Sequence, residues 1–258
     1  MHRSRISWMP LLVGTLCVVA TIKQAEAAEV FVICGGGIRS MMDELGQQFE
    51  RKSGHKLTVS YGISSQLGAQ IEGGARFDLA ILTEPVPEQM VKQGRVRGPL
   101  VRIAQVGIGV AIRKGASKPD ISSSEAFKRA LLEAKSISYA SQSASGLHLA
   151  KVIERLGIAD AIKSKARLAP GGAIDVVEPV ARGEVELGIS AMTDILATPG
   201  AEVLGPLPPE LQHYVVFTGG VAVGSAEPTA AKTLIDFLTS PASAAVIRSK
   251  GIEPLGSN

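Results

Sequence analysis

The chain has 258 residues, a formal net charge of +3 and two cysteines. This length suits one large domain or two domains of ordinary size. A charge this small gives no support for a protein that binds nucleic acid or a membrane surface through bulk electrostatics.

The N-terminal segment has the pattern of an export signal. Two arginines precede an apolar run at 8–22, and a small-x-small cleavage pattern follows at 25–27. The run has about 15 residues, fewer than the roughly 20 that a membrane span needs. We therefore predict that residues 1–28 are a signal peptide, cleaved near Ala27 and Ala28. The mature protein is then expected in the periplasm, with no membrane span.

From residue 29 onward, apolar strands alternate with amphipathic helices, which predicts an α/β fold with largely parallel sheets. The predicted strands lie at 30–34, 56–61, 77–82, 101–113, 136–140, 166–168, 185–190 and 214–223. The predicted helices lie at 38–52, 64–72, 88–93, 124–134, 147–156, 175–181, 228–238 and 241–250. The proline-rich segment 205–210 is predicted to be a rigid extended linker. Two of the strands are unusually long and far apart in the chain, which suggests that the chain leaves one domain and later returns.

The first strand–turn–helix unit is the most informative candidate for a binding site. Three glycines at 35–37 follow the strand, and Arg39 lies in the next helical turn. Glycine lets backbone N–H groups approach a ligand closely, and a helix N-terminus carries a partial positive charge. We interpret Gly36, Gly37 and Ile38 as backbone donors to an anion, with Arg39 as its charged partner. The alternative is a glycine turn beside a solvated arginine.

Two further helix starts are rich in hydroxyl groups. Ser64 and Ser65 follow Tyr61, and they are candidates for ligand contact or for simple helix capping. The segment 141–146 offers three serines, a glutamine and a glycine, which is more than a cap requires. Its candidate ligand residues are Ser143, Ser145 and Gly146.

Two other candidates lie near these turns. His148 lies about one turn inside the helix that follows, where a lone histidine is more often a packing or surface residue than a catalyst. Gly172 repeats the glycine-turn pattern of the first strand, without a polar side chain beside it.

Other chemistries lack the residues they need. Without the signal, three histidines and Cys34 remain, and they do not have the spacing of zinc ligands, so we expect no metal and no cofactor. Cys34 is left without a partner for a disulfide; packing is its default role, and a reactive thiol is the alternative.

Taken with the export signal, these segments resemble the periplasmic type II solute-binding proteins, in the branch of the molybdate-binding proteins. The matching segments are 30–50, 59–62, 64–67, 70–74, 77–81, 143–146, 181–189 and 237–241. The resemblance implies two α/β lobes joined by a two-strand hinge, a ligand held between them, and an ABC permease as partner. We place the first lobe at 29–106 with 217–258, and the second at 107–216.

The residues that bind molybdate in that branch do not carry over. The molybdate-binding proteins have one serine where this chain has Gly37, a second where it has Ile63, and a tyrosine near Ala191 and Met192. The loss of three hydroxyl donors, together with the presence of Arg39, favours a different anion, such as an organic carboxylate.

We therefore predict that the protein, a monomer, captures a small anion, either an organic carboxylate or an oxyanion, for an ABC importer. An alternative is aconitate isomerase activity, because some proteins of this group resemble binding proteins yet interconvert cis- and trans-aconitate. His148 or Tyr61 would then move the allylic proton. Binding of molybdate or tungstate is a further alternative.

Overall fold

The computed structural model describes residues 27–170 and 173–256, so the predicted signal peptide lies almost entirely outside the described residues. The strands are β1 (Glu29–Gly35), β2 (Lys56–Gly62), β3 (Leu79–Thr83), β4 (Val101–Arg113), β5 (Ile137–Tyr139), β6 (Ala166–Leu168), β7 (Leu187–Ala191), β8 (Ala201–Pro206), β9 (Tyr214–Val221) and β10 (Glu253–Pro254). The helices are α1 (Arg39–Ser53), α2 (Ser64–Glu72), α3 (Val86–Lys92), α4 (Ser124–Glu133), α5 (Ala144–Arg155), α6 (Ala159–Lys163), α7 (Ala173–Ala181), α8 (Met192–Leu196), α9 (Pro228–Leu238) and α10 (Pro241–Ser249). Within these two described ranges, no helix combines the length and the apolar character that crossing a membrane requires.

The strands form one mixed sheet with the order β2-β1-β3-β9-β4-β7-β5-β6, while β8 and β10 pair with β4 beside this path. β1 is parallel to β2 and β3, and β5 is parallel to β6 and β7. Each antiparallel pair among the described strands involves β4 or β9. The predicted α/β class, with mixed sheets flanked by helices, is confirmed.

Strand β4 changes partners halfway along its length. Its residues 101–107 pair with β9, and its residues 108–113 pair with β7 and β8. The first half of β4 therefore belongs with β1, β2 and β3, and the second half belongs with β5, β6 and β7. This change supports the proposed division into lobes of 29–106 with 217–258, and of 107–216.

Helix α1 shows how the sequence positions the first glycine turn. Its buried side chains Met41, Met42, Leu45 and Phe49 recur at helical spacing and pack against the sheet. Gly54, with a φ of 77°, ends the helix in the left-handed conformation that glycine adopts without strain. The buried face and the C-terminal glycine thereby fix the helix, which begins with Arg39 close to the carboxyl end of β1.

Two of the differences between the structure and the sequence prediction concern the start of α5 and the predicted linker. Helix α5 begins at Ala144 rather than at 147, because Ser143 caps it by accepting a hydrogen bond from the Gly146 N–H at 3.1 Å. Part of the predicted linker belongs to strand β8, which pairs with the second half of β4. Pro206 is tolerated because it lies at the end of that strand.

Candidate functional site

A cavity of about 540 Å³ lies at the carboxyl ends of β1, β2 and β7, between the two parts of the sheet. This is the position at which open α/β sheets bind ligands, and the volume suits a small organic molecule. Residues from both predicted lobes line it. The sequence candidates on its wall are Gly36, Gly37, Arg39, Tyr61, Ser64, Ser143 and Ser145.

The glycine turn at 35–37 is shaped by packing as well as by access to the cavity. A Cβ on Gly35 would lie 2.8 Å from Cε1 of Phe217, and a Cβ on Gly37 would lie 3.0 Å from its Cζ. Gly36 is less crowded, with Gly62 O at 3.7 Å from the same added atom. The side chain of Ile38 is fully buried and does not line the cavity, which is compatible with its predicted role as a backbone donor only.

Arg39 and Tyr61 form one unit on the cavity wall. The guanidinium carbon of Arg39 lies 4.1 Å from the centroid of the Tyr61 ring, in a cation–π contact. The Tyr61 hydroxyl donates to Asp43 Oδ1 at 2.7 Å, which fixes the ring below the cation. In the described part of the chain, Arg39 forms no ion pair with a protein carboxylate. Its N–H groups are therefore free to bind an anion.

The two serines at the start of α2 have different surroundings. Ser64 is buried on the cavity wall, and its Oγ accepts from the Thr83 N–H at 2.9 Å, which leaves the hydroxyl proton for a ligand. Ser65 points away from the cavity and donates to Gln142 O at 3.1 Å. The prediction of Ser65 as a ligand residue does not fit this geometry.

Gln66 extends the contact that Ser65 makes. Its Nε2 donates to Gln142 Oε1 at 3.3 Å and to Pro170 O at 3.2 Å. Gln66 lies in the first predicted lobe, whereas Gln142 and Pro170 lie in the second. These side chains bridge the two parts of the protein beside the cavity.

The hydroxyl groups at the start of α5 are largely used within the protein. Ser143 Oγ donates to Ala140 O at 2.9 Å and lies 3.0 Å from Ser145 Oγ, so the Ser145 hydroxyl is the donor between them. A Cβ on Gly146 would lie 1.9 Å from Ala140 O, so this glycine is required by close packing. Gly146 does not line the cavity. Helix capping therefore explains most of the hydroxyl groups in this cluster. The other predicted ligand residue, Gly172, lies outside the described residues.

His148 lies outside the cavity. Its Nε2 is 2.8 Å from Leu211 O, and its ring stacks on His213 with a centroid distance of 4.8 Å. Burial, followed by the charges of His148 and Lys151, lowers the pKa of His213. The predicted proton-transfer role of His148 is incompatible with this position, because α5 directs its side chain toward the 211–213 segment.

Tyr61 lines the cavity, but its hydroxyl is a poor base. Burial, then the hydrogen bond to Asp43, raises the pKa of the Tyr61 phenol well above its usual value. The phenol therefore stays protonated at neutral pH. The structure assigns Tyr61 to the support of Arg39 rather than to proton transfer.

Sequence reasoning missed the polar residues at the end of β7. Ser190 Oγ donates to Asp194 Oδ2 at 2.9 Å, and Thr193 Oγ1 donates to Gly37 O at 2.6 Å. All three side chains line the cavity. Burial raises the pKa of the Asp194 carboxyl to about 6, although the hydrogen bond from Ser190 acts in the opposite direction. The available signal was the pair of polar residues Thr193 and Asp194 shortly after a buried strand.

Cys34 is buried beside the glycine turn. Burial, with a smaller contribution from Asp43, raises the pKa of its thiol well above the usual value. The thiol therefore stays protonated, which favours the packing interpretation of this residue.

Comparison with known proteins gives one family over nearly the whole chain. Residues 30–253 match the model of a family described as bacterial extracellular solute-binding protein. An aconitate isomerase of Pseudomonas sp. is 30% identical over 254 residues, which cover 95% of this chain and 96% of that relative. The molybdate-binding protein ModA of Azotobacter vinelandii is 29% identical over 238 residues, which cover 88% of this chain and 90% of that relative.

Solved structures give the same fold. The periplasmic molybdate-binding protein of Azotobacter vinelandii has a TM-score of 0.73 at 20% identity and covers 86% of this chain and 98% of its own. The sulfate-binding protein SubI of Mycobacterium tuberculosis H37Rv has a TM-score of 0.72 at 16% identity, covering 88% of this chain and 87% of its own. These likenesses confirm the predicted two-lobed periplasmic binding protein fold.

Proposed function

We propose that this chain, which belongs to the bacterial extracellular solute-binding protein family, captures a small di- or tricarboxylate in its cavity and delivers it to an ABC importer. The observation that carries the proposal is the guanidinium of Arg39, held over Tyr61 at the cavity with no carboxylate of the described residues as its ion-pair partner. A planar guanidinium matches the two oxygens of a carboxylate. The Ser64 hydroxyl and the N–H groups of the glycine turn offer further donors.

The charges around the cavity favour an organic acid over a compact metal oxyanion. Asp43 and Asp194 both line the wall, and each would repel a small dianion that fills the same space. An organic carboxylate is long enough to present its charge to Arg39 and an uncharged carbon atom to Asp194. We also expect the protein to be periplasmic, in accordance with its predicted signal peptide, and to act as a monomer.

Isothermal titration against a panel of anions tests this proposal. The panel contains cis-aconitate, trans-aconitate, tricarballylate, malate, sulfate, molybdate and tungstate. We expect at least one di- or tricarboxylate to bind and the three inorganic anions to give no heat of binding. Binding of molybdate or tungstate, with none of the organic acids, would establish the metal-oxyanion alternative instead.

The hydrogen bonds from Gln66 to Gln142 and Pro170 join the two predicted lobes, and they favour closure of the lobes around the ligand. We expect Gln66→Ala to weaken the affinity for the bound carboxylate by about threefold to tenfold, because a net hydrogen bond contributes about 0.5–1.5 kcal/mol. Most of the loss should appear as faster dissociation in stopped-flow measurements. Gln47→Ala, on the exposed side of α1, is the matched control. An unchanged dissociation rate in Gln66→Ala would show that the Gln66 hydrogen bonds do not contribute to closure of the two lobes.

A second candidate function is aconitate isomerisation. It is favoured by the 30% identity to an aconitate isomerase across 95% of this chain, and by the presence of a carboxyl group of raised pKa on the cavity wall. The reaction moves a double bond and one proton within a tricarboxylate, so it needs the same anion-binding groups together with one base. Incubation of the purified protein with cis-aconitate, followed by chromatographic detection of the trans isomer, tests it. Binding without product would leave transport as the function.

A further inference from the structure

Asp194 places a carboxyl group on the cavity wall without an ion-pair partner among the described residues. It lies in the first turn of α8, directly after β7, and its half-buried side chain lines the cavity. Among the described residues, Ser190 Oγ is the one donor to this carboxylate, and no lysine, arginine or histidine forms an ion pair with it. Apart from the Ser190 hydroxyl, the side chains of the described residues therefore give this carboxylate no structural partner.

We propose that Asp194 is the base that takes and returns the proton when a tricarboxylate isomerises in this cavity. The proposal rests on the isomerase candidate stated above. It gives that activity one catalytic residue, with Arg39 as the group that holds the substrate and Ser190 as the residue that orients the carboxylate.

The proposed step is a balanced 1,3-shift. The Asp194 carboxylate removes one proton from the methylene carbon of cis-aconitate, and the electron pair of that C–H bond enters the allylic system. The adjacent carboxylates of the substrate stabilise the resulting carbanion, and Arg39 offsets part of their charge. Asp194 then returns the proton to the terminal CH carbon of the former double bond, and the new double bond joins the central carbon to the former methylene carbon. The double bond has moved by one position, and neither an oxidant nor a co-reactant is used.

The other ionisable groups near the cavity are less suited to this role. The Tyr61 hydroxyl is committed to Asp43 and stays protonated. Asp43 is exposed and already accepts that hydrogen bond. The carboxyl of Asp194 has a pKa of about 6, so at neutral pH it is largely ionised yet basic enough to accept a proton.

Proton exchange into D2O provides the test. The wild-type protein and Asp194→Asn are each incubated with cis-aconitate in D2O, and deuterium at the methylene carbon and the trans isomer are followed by NMR. Tricarballylate, a saturated tricarboxylate that cannot isomerise, measures binding separately by calorimetry. We expect Asp194→Asn to lose exchange by about 100-fold or more while its affinity for tricarballylate changes by less than about threefold.

Two further variants complete the design. Asp194→Glu keeps a carboxylate and should recover part of the exchange that Asp194→Asn loses. Asp236→Asn changes an exposed aspartate on α9 and should exchange at the wild-type rate. Retained tricarballylate binding shows that each variant is folded.

The outcomes separate the two proposals. If the wild-type protein binds no tricarboxylate, the proposed function fails. If it binds tricarballylate but neither exchanges deuterium nor forms the trans isomer, carboxylate binding stands and the role of Asp194 is overturned. Wild-type exchange in Asp194→Asn overturns it as well, and so does failure of Asp194→Glu to exceed a folded Asp194→Asn.

Discussion

Replacement of Arg39 by glutamine is expected to lower the affinity for the bound carboxylate by about 30-fold or more, because it removes the charged partner of the anion. The guanidinium is held over the Tyr61 ring at 4.1 Å, and Asp43 fixes that ring through its 2.7 Å hydrogen bond. Glutamine retains two N–H donors but neither the charge nor the planar fork. Isothermal titration with the tightest carboxylate of the panel measures the loss.

Two further variants test whether the loss of affinity comes from the Arg39 guanidinium itself. Arg39→Lys keeps the charge without the fork, so its affinity should lie between those of the wild type and Arg39→Gln. Arg51→Gln makes the same change at the other, exposed end of α1 and should bind like the wild type. An Arg39→Gln variant that binds within twofold of the wild type would show that the anion is held elsewhere.

The elements around Arg39 show what sequence patterns could predict. A buried strand, three glycines and an amphipathic helix follow each other within local sequence, so the turn at 35–37 and the start of α1 were predictable without tertiary information. The long strand β4 was predictable for the same reason, since its apolar run exceeds the length of one ordinary strand. The packing role of the glycines was harder to predict from the sequence. Gly35 and Gly37 lie against Phe217, which is far away in the chain.

The serines and Asp194 show where local patterns fail. Ser64 and Ser65 are neighbours of the same type, yet one faces the cavity and the other contacts Gln142. Contacts with residues distant in sequence distinguish them, namely Thr83 for Ser64 and Gln142 for Ser65. Asp194 carries no local motif, and it becomes a candidate only because β7 and α8 bring it to the same cavity as Arg39. The polar pair Thr193 and Asp194 shortly after a buried strand is the sequence signal that could have drawn attention to it.

The buried carboxylate of Asp78 is expected to make a large contribution to the stability of the fold. Its side chain is 1% exposed, and its Oδ1 accepts from Ser225 Oγ at 2.8 Å, Ala226 N at 2.9 Å and Glu227 N at 3.2 Å. Its Oδ2 accepts from Phe31 N at 2.9 Å. Asp78→Ala leaves these donors without their acceptor, so we expect the free energy of unfolding to fall by about 4 kcal/mol. Urea denaturation measures it, and Asp236→Ala on the exposed face of α9 is the control.

The same carboxylate predicts how stability depends on pH. Burial alone would raise the pKa of Asp78, but the hydrogen bonds from Phe31, Ser225, Glu227 and Ala226 outweigh it and hold that pKa below its usual value of 3.8. Because the folded-state pKa is the lower one, this stabilisation is present above pH 3.8 and is lost as the pH falls through the folded value. The difference in unfolding free energy between the wild type and Asp78→Ala should therefore be constant near neutral pH and should narrow in acid. A difference that stays constant into acid would mean that the Asp78 donors are satisfied equally well by a protonated carboxyl group.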